Sequence, residues 1–205
     1  MMKLLSLKLI FFVLIISFTL QSCAGVKNPG SSKHSAHAKA NTRNSIQASS
    51  QSPSQVADLA QKNINAGEYQ KAINIYNNEF HRQPQNLKLR QMYVKSLEGI
   101  RSTADSAFEK KDFAGAGRVY NVLQKNYGKF SHVVQMLSFN NAYLNTRISC
   151  CKKSLTVQGF REYRKGHLNS ALLLWQGVLD IDPNNKVVKD AVRTAKLQQK
   201  NLPQK

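Results

Sequence analysis

A segment that occurs three times constrains the fold of this chain more than any other sequence feature. Residues 65–86, 109–129 and 164–185 align without gaps. Each copy has a large apolar residue, an alanine three residues later and an aromatic residue four residues after that, namely Tyr69, Ala72 and Tyr76, then Phe113, Ala116 and Tyr120, then Leu168, Ala171 and Trp175. Spacings of three and four belong to one face of an α-helix, and an internal repeat of this kind predicts stacked copies of one helical unit.

The repeated pattern resembles the tetratricopeptide repeat (TPR), a pair of antiparallel helices about 34 residues long. On this resemblance the repeats cover residues 53–86, 97–130 and 152–185, with a small residue in each first helix at Ala60, Ala104 and Gly159. Prolines beyond the second helices, Pro84 and Pro183, fit the same pattern. The resemblance implies an all-α helix-turn-helix solenoid, in which small residues let paired helices approach and aromatic residues fill the space beside them. It predicts that Trp175 is a core residue, the alternative being a ligand-stacking role.

Insertions between the repeats predict an irregular solenoid with elongated linking helices. Residues 87–96 are expected to extend the first helix of the second repeat by about three turns. An apolar stripe that runs through residues 131–151 into the third repeat predicts a helix with Ser131 as its N-cap. The stripe comprises Val133, Leu137, Leu144, Ile148, Cys151 and Leu155. Gly115 and Gly117 each weaken a helix by about 1 kcal/mol relative to alanine. An amphipathic segment after residue 185 predicts a C-terminal capping helix, so the helical domain is placed at 56–200 and a tail at 201–205.

The first 22 residues are typical of a bacterial lipoprotein signal peptide. Lys3 and Lys8 precede an apolar run from Leu9 to Leu20. This run is shorter than the about 20 apolar residues that a helix needs to span a bilayer. The sequence Leu20-Gln21-Ser22-Cys23 resembles a lipobox, although Gln21 departs from it. The resemblance implies cleavage before Cys23 and attachment of acyl chains such as palmitate, and Ala24 implies the periplasmic face of the outer membrane. The alternative is an unmodified cysteine after an ordinary signal.

Residues 23–55 are interpreted as the lipidated cysteine followed by a disordered tether. Residues 24–55 contain no acidic side chain and only two larger aliphatic residues, Val26 and Ile46, so they cannot bury enough surface to fold. His34 and His37 lie here, but nothing preorganises them as a metal site. We expect no metal or cofactor.

The chain has 30 basic and 11 acidic residues, a formal net charge of +19. In an exported protein this charge points away from nucleic acid and toward anionic lipid headgroups, lipopolysaccharide phosphates or an acidic protein, unless it is simply a solvated surface. The adjacent Cys150 and Cys151 cannot bond to each other on a helix without strain, so one of them is expected to face inward. An intermolecular disulfide is the alternative.

No phosphate loop, metalloprotease motif or nucleophile elbow occurs, so we expect no catalytic residue and no small-molecule substrate. The TPR resemblance instead implies a concave binding face formed by first helices, with candidate peptide-binding residues Gln61, Asn65, Arg101, Asp105, Lys153, Phe160 and Arg164. The function expected is a protein–protein interaction scaffold of the cell envelope, possible systems being pilus, secretion or envelope assembly. The alternative is a basic module that contacts lipopolysaccharide or anionic lipid directly.

Overall fold

The computed structural model describes residues 51–201, and each regular element among them is helical. The α-helices are α1 (Pro53–Asn65), α2 (Tyr69–Arg82), α3 (Leu87–Glu109), α4 (Phe113–Asn126), α5 (Asn141–Arg164), α6 (Leu168–Ile181) and α7 (Lys186–Asn201). Short 3-10 helices at Tyr127–Phe130 and Val134–Met136 join α4 to α5. The all-α prediction is confirmed for this part of the chain. The predicted signal peptide, Cys23 and the tether as far as residue 50 lie outside the described residues.

None of the helices in the described range 51–201 has the length and apolar character needed to cross a bilayer.

Helix α1 begins earlier than the boundary predicted between tether and domain. Ser52 Oγ accepts a hydrogen bond from the backbone N–H of Gln55 at 3.3 Å, and the Gln55 side chain accepts one from the Ser52 N–H at 3.0 Å. This capping box, with Pro53 in the first turn, starts the helix at residue 53. Residues 53–55 therefore belong to the helical domain, and the prediction that the tether extends to residue 55 is wrong. At the other end, Asn201 is still helical, so it does not belong to the predicted tail.

The predicted extension of the second repeat's first helix is confirmed. Helix α3 has 23 residues, and the Asn86 side chain caps it by accepting a hydrogen bond from the Leu89 N–H at 3.0 Å. Leu89 and Tyr93, which lie within the inserted residues, are buried in the core. The insertion thus adds packed turns to an existing helix.

The prediction that Ser131 caps this helix is wrong, because the N-cap of α5 is Asn140, nine residues later. The Asn140 side chain caps α5 by accepting a hydrogen bond from the Tyr143 N–H at 2.8 Å. Before it, Glu98 of α3 accepts hydrogen bonds from the Ser138 N–H at 2.5 Å and the Ser138 Oγ at 2.7 Å. These bonds hold the segment before Asn140 in a non-helical conformation. Val133 is buried as its apolar character requires, but it lies in a turn just before the 3-10 helix Val134–Met136 rather than on an α-helix.

One turn geometry joins the helices of each predicted repeat. Gly67, Lys111 and Gly166 have positive φ angles of 74°, 63° and 82°, and each is the fifteenth residue of its predicted repeat. At the first turn the Gly67 N–H donates to the carbonyl of Ile64 and the next N–H donates to that of Asn63. The same two bonds recur at the other turns, which is the Schellman arrangement for ending a helix. The pairs α1–α2, α3–α4 and α5–α6 therefore share one connection.

Close helix approach depends on glycine at two crossings. A Cβ atom on Gly117 of α4 would lie 2.3 Å from the Ile181 Cδ1, and one on Gly159 of α5 would lie 2.3 Å from the Trp175 Nε1. Helix α4 extends over Phe113–Asn126 despite Gly115 and Gly117, because the close packing at Gly117 outweighs the low helix propensity of glycine. Trp175 is completely buried, so the prediction that it is a core residue is confirmed.

Candidate functional site

A groove between α1 and α3, which we call the α1/α3 groove, is the strongest candidate site among the described residues. Its volume is about 620 Å³, within the range of ligand sites. Its lining comes mainly from these two helices, with contributions from α2: Ala57, Asp58, Gln61, Ile64, Asn65, Tyr69, Tyr76, Met92, Lys95, Ser96, Gly99 and Thr103. The members of α3 recur at spacings of three and four, which places them on one helix face.

The floor of the groove is rigid. Tyr76 reaches it from α2, and its ring stacks on Tyr93 with centroids 4.7 Å apart and planes 12° apart. Its hydroxyl lies 3.0 Å from the Ser96 Oγ, at hydrogen-bonding distance. Burial raises the pKa of Tyr76, so the hydroxyl stays neutral at physiological pH. Tyr76 is only 1% exposed, so it forms a fixed, neutral base beneath the groove.

The rims of the groove are polar and carry both signs of charge. Asp58 and Lys95 are exposed lining residues, and neither forms an ion pair within the described chain. Gln61 donates a hydrogen bond to Asn65 at 2.7 Å, one helical turn away. Amide groups that bond only to each other at an exposed surface can exchange this bond for bonds to the backbone of a bound segment. The structure thus brings together two of the predicted binding residues, Gln61 and Asn65, in one lined groove.

Gly99 leaves open space in the middle of the groove. It lies near the centre of the 23-residue helix α3, and a Cβ atom added there would meet nothing within 4 Å. Glycine in a helix interior costs about 0.5–1 kcal/mol relative to alanine. Packing among residues 51–201 does not require a glycine here, since no neighbouring atom in this range excludes a larger side chain. The space beside Gly99 is free for the atoms of a bound molecule.

Arg101 and Asp105, predicted as binding residues, instead belong to a network inside the protein. Asp105 accepts hydrogen bonds at 2.5 Å from the hydroxyls of Tyr120 and Tyr143, and it also pairs with Arg101. Arg101 donates from Nε to Glu98 at 3.0 Å. Because these polar groups are satisfied internally, a peptide would have to break the network to use them. In the structure this pair bonds to side chains of its own chain, and its role in peptide binding stays a prediction.

The same network joins α3 to the segment before α5. Burial of Glu98 acts to raise its pKa, but the hydrogen bonds from Ser138 and Arg101 outweigh burial and lower it. A lowered pKa means that the folded state favours the carboxylate, so this contribution to stability is present above the pKa of the unfolded chain and is lost as pH falls through the folded pKa. Asp105 also links α3 to α4 and α5 through its two tyrosines.

The three remaining candidates lie on α5, away from the α1/α3 groove lining. Phe160 is half-buried and packs edge-on against Trp175, with ring centroids 5.0 Å apart, so it supports the core. Lys153 and Arg164 are exposed and form no ion pair within the described chain. The seven predicted residues thus fall into a groove pair, a network pair and three positions on α5.

Sequence reasoning missed most of the groove, including Asp58, Met92, Lys95 and Thr103. One signal was present, because glycine with helical neighbours on both sides marks a position where side-chain space matters. The arrangement offers hydrogen bonds, two opposite charges and apolar contacts. It has no histidine or cysteine in its lining and one carboxylate, and no group of acidic, histidine or cysteine residues in the range 51–201 could hold a metal ion.

Comparison of the chain with protein-family models, with curated proteins and with solved structures found no match in any of the three.

Proposed function

We propose that this protein is a TPR-like interaction scaffold, anchored through a lipidated Cys23 to the periplasmic face of the outer membrane, which binds a segment of another envelope protein in the α1/α3 groove. Assembly of a pilus, a secretion machine or another envelope complex is the setting that such a scaffold would serve. The proposal treats the chain as a binding protein rather than an enzyme.

Two sets of observations support the repeat architecture in this proposal. The three Schellman turns occupy the same repeat position, and the equivalent small and aromatic residues of the three repeats are buried. In addition, helices pack beyond their own pair, as α1 does on α3 and α4 on α6. Stacking of this kind is how repeat proteins bury a continuous core and create an extended binding surface.

The observation that carries the binding role is the empty space at Gly99. A glycine there lowers helix stability without any packing need among residues 51–201, yet it keeps the groove open above Tyr76, whose ring is fixed by stacking on Tyr93. Glycine is suited to sites where another backbone approaches closely. The polar rim at Gln61 and Asn65 then supplies hydrogen bonds to main-chain groups of the bound segment.

The groove can be tested by photocrosslinking in intact cells. A photoreactive amino acid at Gln61 is expected to capture a specific protein, whereas the same residue at Asn78, exposed on α2 and outside the groove lining, is expected to capture none. Gly99→Phe fills the groove without meeting any neighbour at its Cβ and should abolish the capture. Gly99→Ala, which adds one methyl group, should retain most of it. Equal capture from both positions, or capture unaffected by Gly99→Phe, would contradict the proposed site.

The proposed attachment to the membrane through Cys23 has a separate test. Cys23→Ser should prevent acylation and release the processed protein from the detergent-rich phase in Triton partitioning, because the acyl chains supply the affinity. Metabolic labelling with a fatty acid analogue measures the modification itself. Labelling that persists in the Cys23→Ser protein would rule out Cys23 as the attachment site.

A further inference from the structure

The exposed side of α7 carries a row of basic side chains, which we call the α7 basic stripe. Its members follow one another at spacings of three and four residues: Lys186, Lys189, Arg193, Lys196 and Lys200. At 100° per residue they fall within a sector of about 80°, and at 1.5 Å per residue they extend over about 21 Å. All five are exposed. The stripe therefore forms a continuous basic edge on the last helix.

The other side of α7 holds the helix in place. Val188 and Ala195 are completely buried, and α7 packs on α6. The Gln199 Nε2 donates a hydrogen bond of 2.6 Å to the Asn169 Oδ1 at the start of α6, which fixes the C-terminal half as well. Because the apolar side faces the protein, the stripe has a fixed outward orientation.

The stripe has little compensation from acidic groups. Asp190 is the only acidic residue of α7, and it pairs with Arg193 at 3.1 Å. The other four stripe members have no ion-pair partner among residues 51–201. Like charges three and four residues apart on a helix repel each other and weaken it. Helix α7 carries five basic residues and one acidic residue in 16 positions, whereas residues 51–185 carry 18 basic and 10 acidic residues, so positive charge is densest on this helix.

We propose that the α7 basic stripe is a docking surface for the headgroups of an anionic phospholipid bilayer. A straight, outward-facing row of cations matches a plane of many anionic headgroups, which attracts basic segments over about a Debye length. A peptide partner would instead require apolar anchors in a pocket, and none of the five main cavities within residues 51–201 is lined by a stripe member. Leu197, 61% exposed and four residues after Arg193, supplies one apolar contact beside the stripe.

This surface is independent of the α1/α3 groove and of acylation. Docking through α7 would orient a protein already attached at its N-terminus, so that the α6–α7 end lies against the bilayer. The basic turn between α5 and α6 lies beside the last turns of α7, since Gly166, His167 and Gln199 line one cavity. Arg164, exposed and unpaired in the described chain, precedes that turn and extends the positive field.

Trp175, the only tryptophan, provides the measurement because it lies in α6, on which α7 packs. The full chain is mixed with vesicles of phosphatidylcholine alone or of phosphatidylcholine with phosphatidylglycerol, each containing a trace of dansyl-labelled lipid. Energy transfer from Trp175 to dansyl reports how near α6 and α7 come to the bilayer, whether or not the N-terminal segment binds the vesicle. We expect greater transfer with phosphatidylglycerol, and loss of the difference near 1 M salt, where the Debye length is about 3 Å.

The variant test reverses three members of the stripe that make no hydrogen bond or ion pair: Lys186→Glu, Lys189→Glu and Lys196→Glu. The new glutamates can pair with the remaining cations of α7, so the helix is retained, as far-UV circular dichroism will check. The matched control reverses three exposed, unpaired lysines elsewhere, Lys88→Glu, Lys125→Glu and Lys129→Glu, giving the same net charge.

The expected result is that the stripe variant loses the additional transfer seen with phosphatidylglycerol, while the control and Gly99→Phe keep it. Equal transfer to both vesicle types by the unmodified protein overturns the proposal. So does equal loss in the stripe variant and the control, since net charge alone would then explain binding. Transfer to dansyl-labelled lipopolysaccharide aggregates but not to phosphatidylglycerol vesicles would also overturn it, because the anion would then be a different one.

Discussion

A single methyl group should have opposite effects at two glycines of this protein. Gly159→Ala places a Cβ atom 2.3 Å from the Trp175 Nε1, 2.5 Å from its Cδ1 and 2.9 Å from its Cε2. Gly99→Ala makes the same chemical change in another long helix, where nothing lies within 4 Å. The comparison therefore separates helix propensity, which both sites share, from packing, which only Gly159 experiences.

The magnitudes follow from these contacts. Replacing glycine by alanine in a helix interior gains about 1 kcal/mol, which is the whole effect expected for Gly99→Ala. At Gly159 the three short contacts involve a completely buried indole held between Phe160 and Tyr163, with ring centroids 5.0 Å and 5.7 Å away. Overpacking of a core costs about 1–3 kcal/mol, and a rigid ring that cannot rotate away favours the upper value. We expect Gly159→Ala to destabilise by about 2 kcal/mol.

Urea unfolding followed by far-UV circular dichroism measures both free energies without relying on Trp175 itself. The two variants should differ by about 3 kcal/mol, or by about 6–12 °C in melting temperature for a domain of this size. In a Trp175→Phe background, the smaller ring should make Gly159→Ala less costly, giving a non-additive double-mutant cycle. If Gly159→Ala is as stable as Gly99→Ala, the α5–α6 crossing is not limited by this contact and the packing argument fails.

Three further predictions concern single side chains. Trp175→Ala should cost about 3–5 kcal/mol through lost burial and a cavity, and the emission of Trp175 in the native protein should be blue-shifted; water-like emission would contradict its burial. Burial raises the pKa of the Cys151 thiol to about 12, so at neutral pH this thiol should resist alkylation until the protein unfolds, whereas the exposed Cys150 should react. Mass spectrometry of the labelled peptides measures both reactions, and equal labelling of the two cysteines would contradict the prediction. Arg101→Glu should destabilise by about 1.5–3 kcal/mol by disrupting its two carboxylate bonds, while Arg164→Glu should stay within about 0.5 kcal/mol of the parent; thermal melts giving equal values would refute the network.

The helical class of the described residues, the length of α3 and the burial of Trp175 were all predictable from sequence. Each follows from local information: apolar residues at spacings of three and four, a long stretch without proline, and an aromatic at an equivalent position in three segments. Periodicity identifies which face of a helix is buried. It does not identify the neighbour that covers this face, because any arrangement that hides the apolar residues satisfies the pattern.

The start of α5 could not be predicted from local sequence patterns. Val133 belongs to a helical stripe in sequence and is buried in the structure, but it lies in a turn just before a 3-10 helix. The deciding interaction is between Ser138 and Glu98, forty residues apart, and no local pattern specifies a pairing at that separation.

The sequence by itself thus determined that residues 51–201 fold mainly into helices and which faces of those helices are buried, since these properties depend on neighbours within one or two turns. Only the tertiary structure decided what the polar residues do. Arg101 and Gln61 both occupy inward positions of first helices by the repeat pattern, yet one is held by carboxylates of its own chain and the other lines an open groove. The physical reason is that a polar side chain satisfies its hydrogen bonds with whatever partners the fold brings near, and for Asp105 these are tyrosines 15 and 38 residues away.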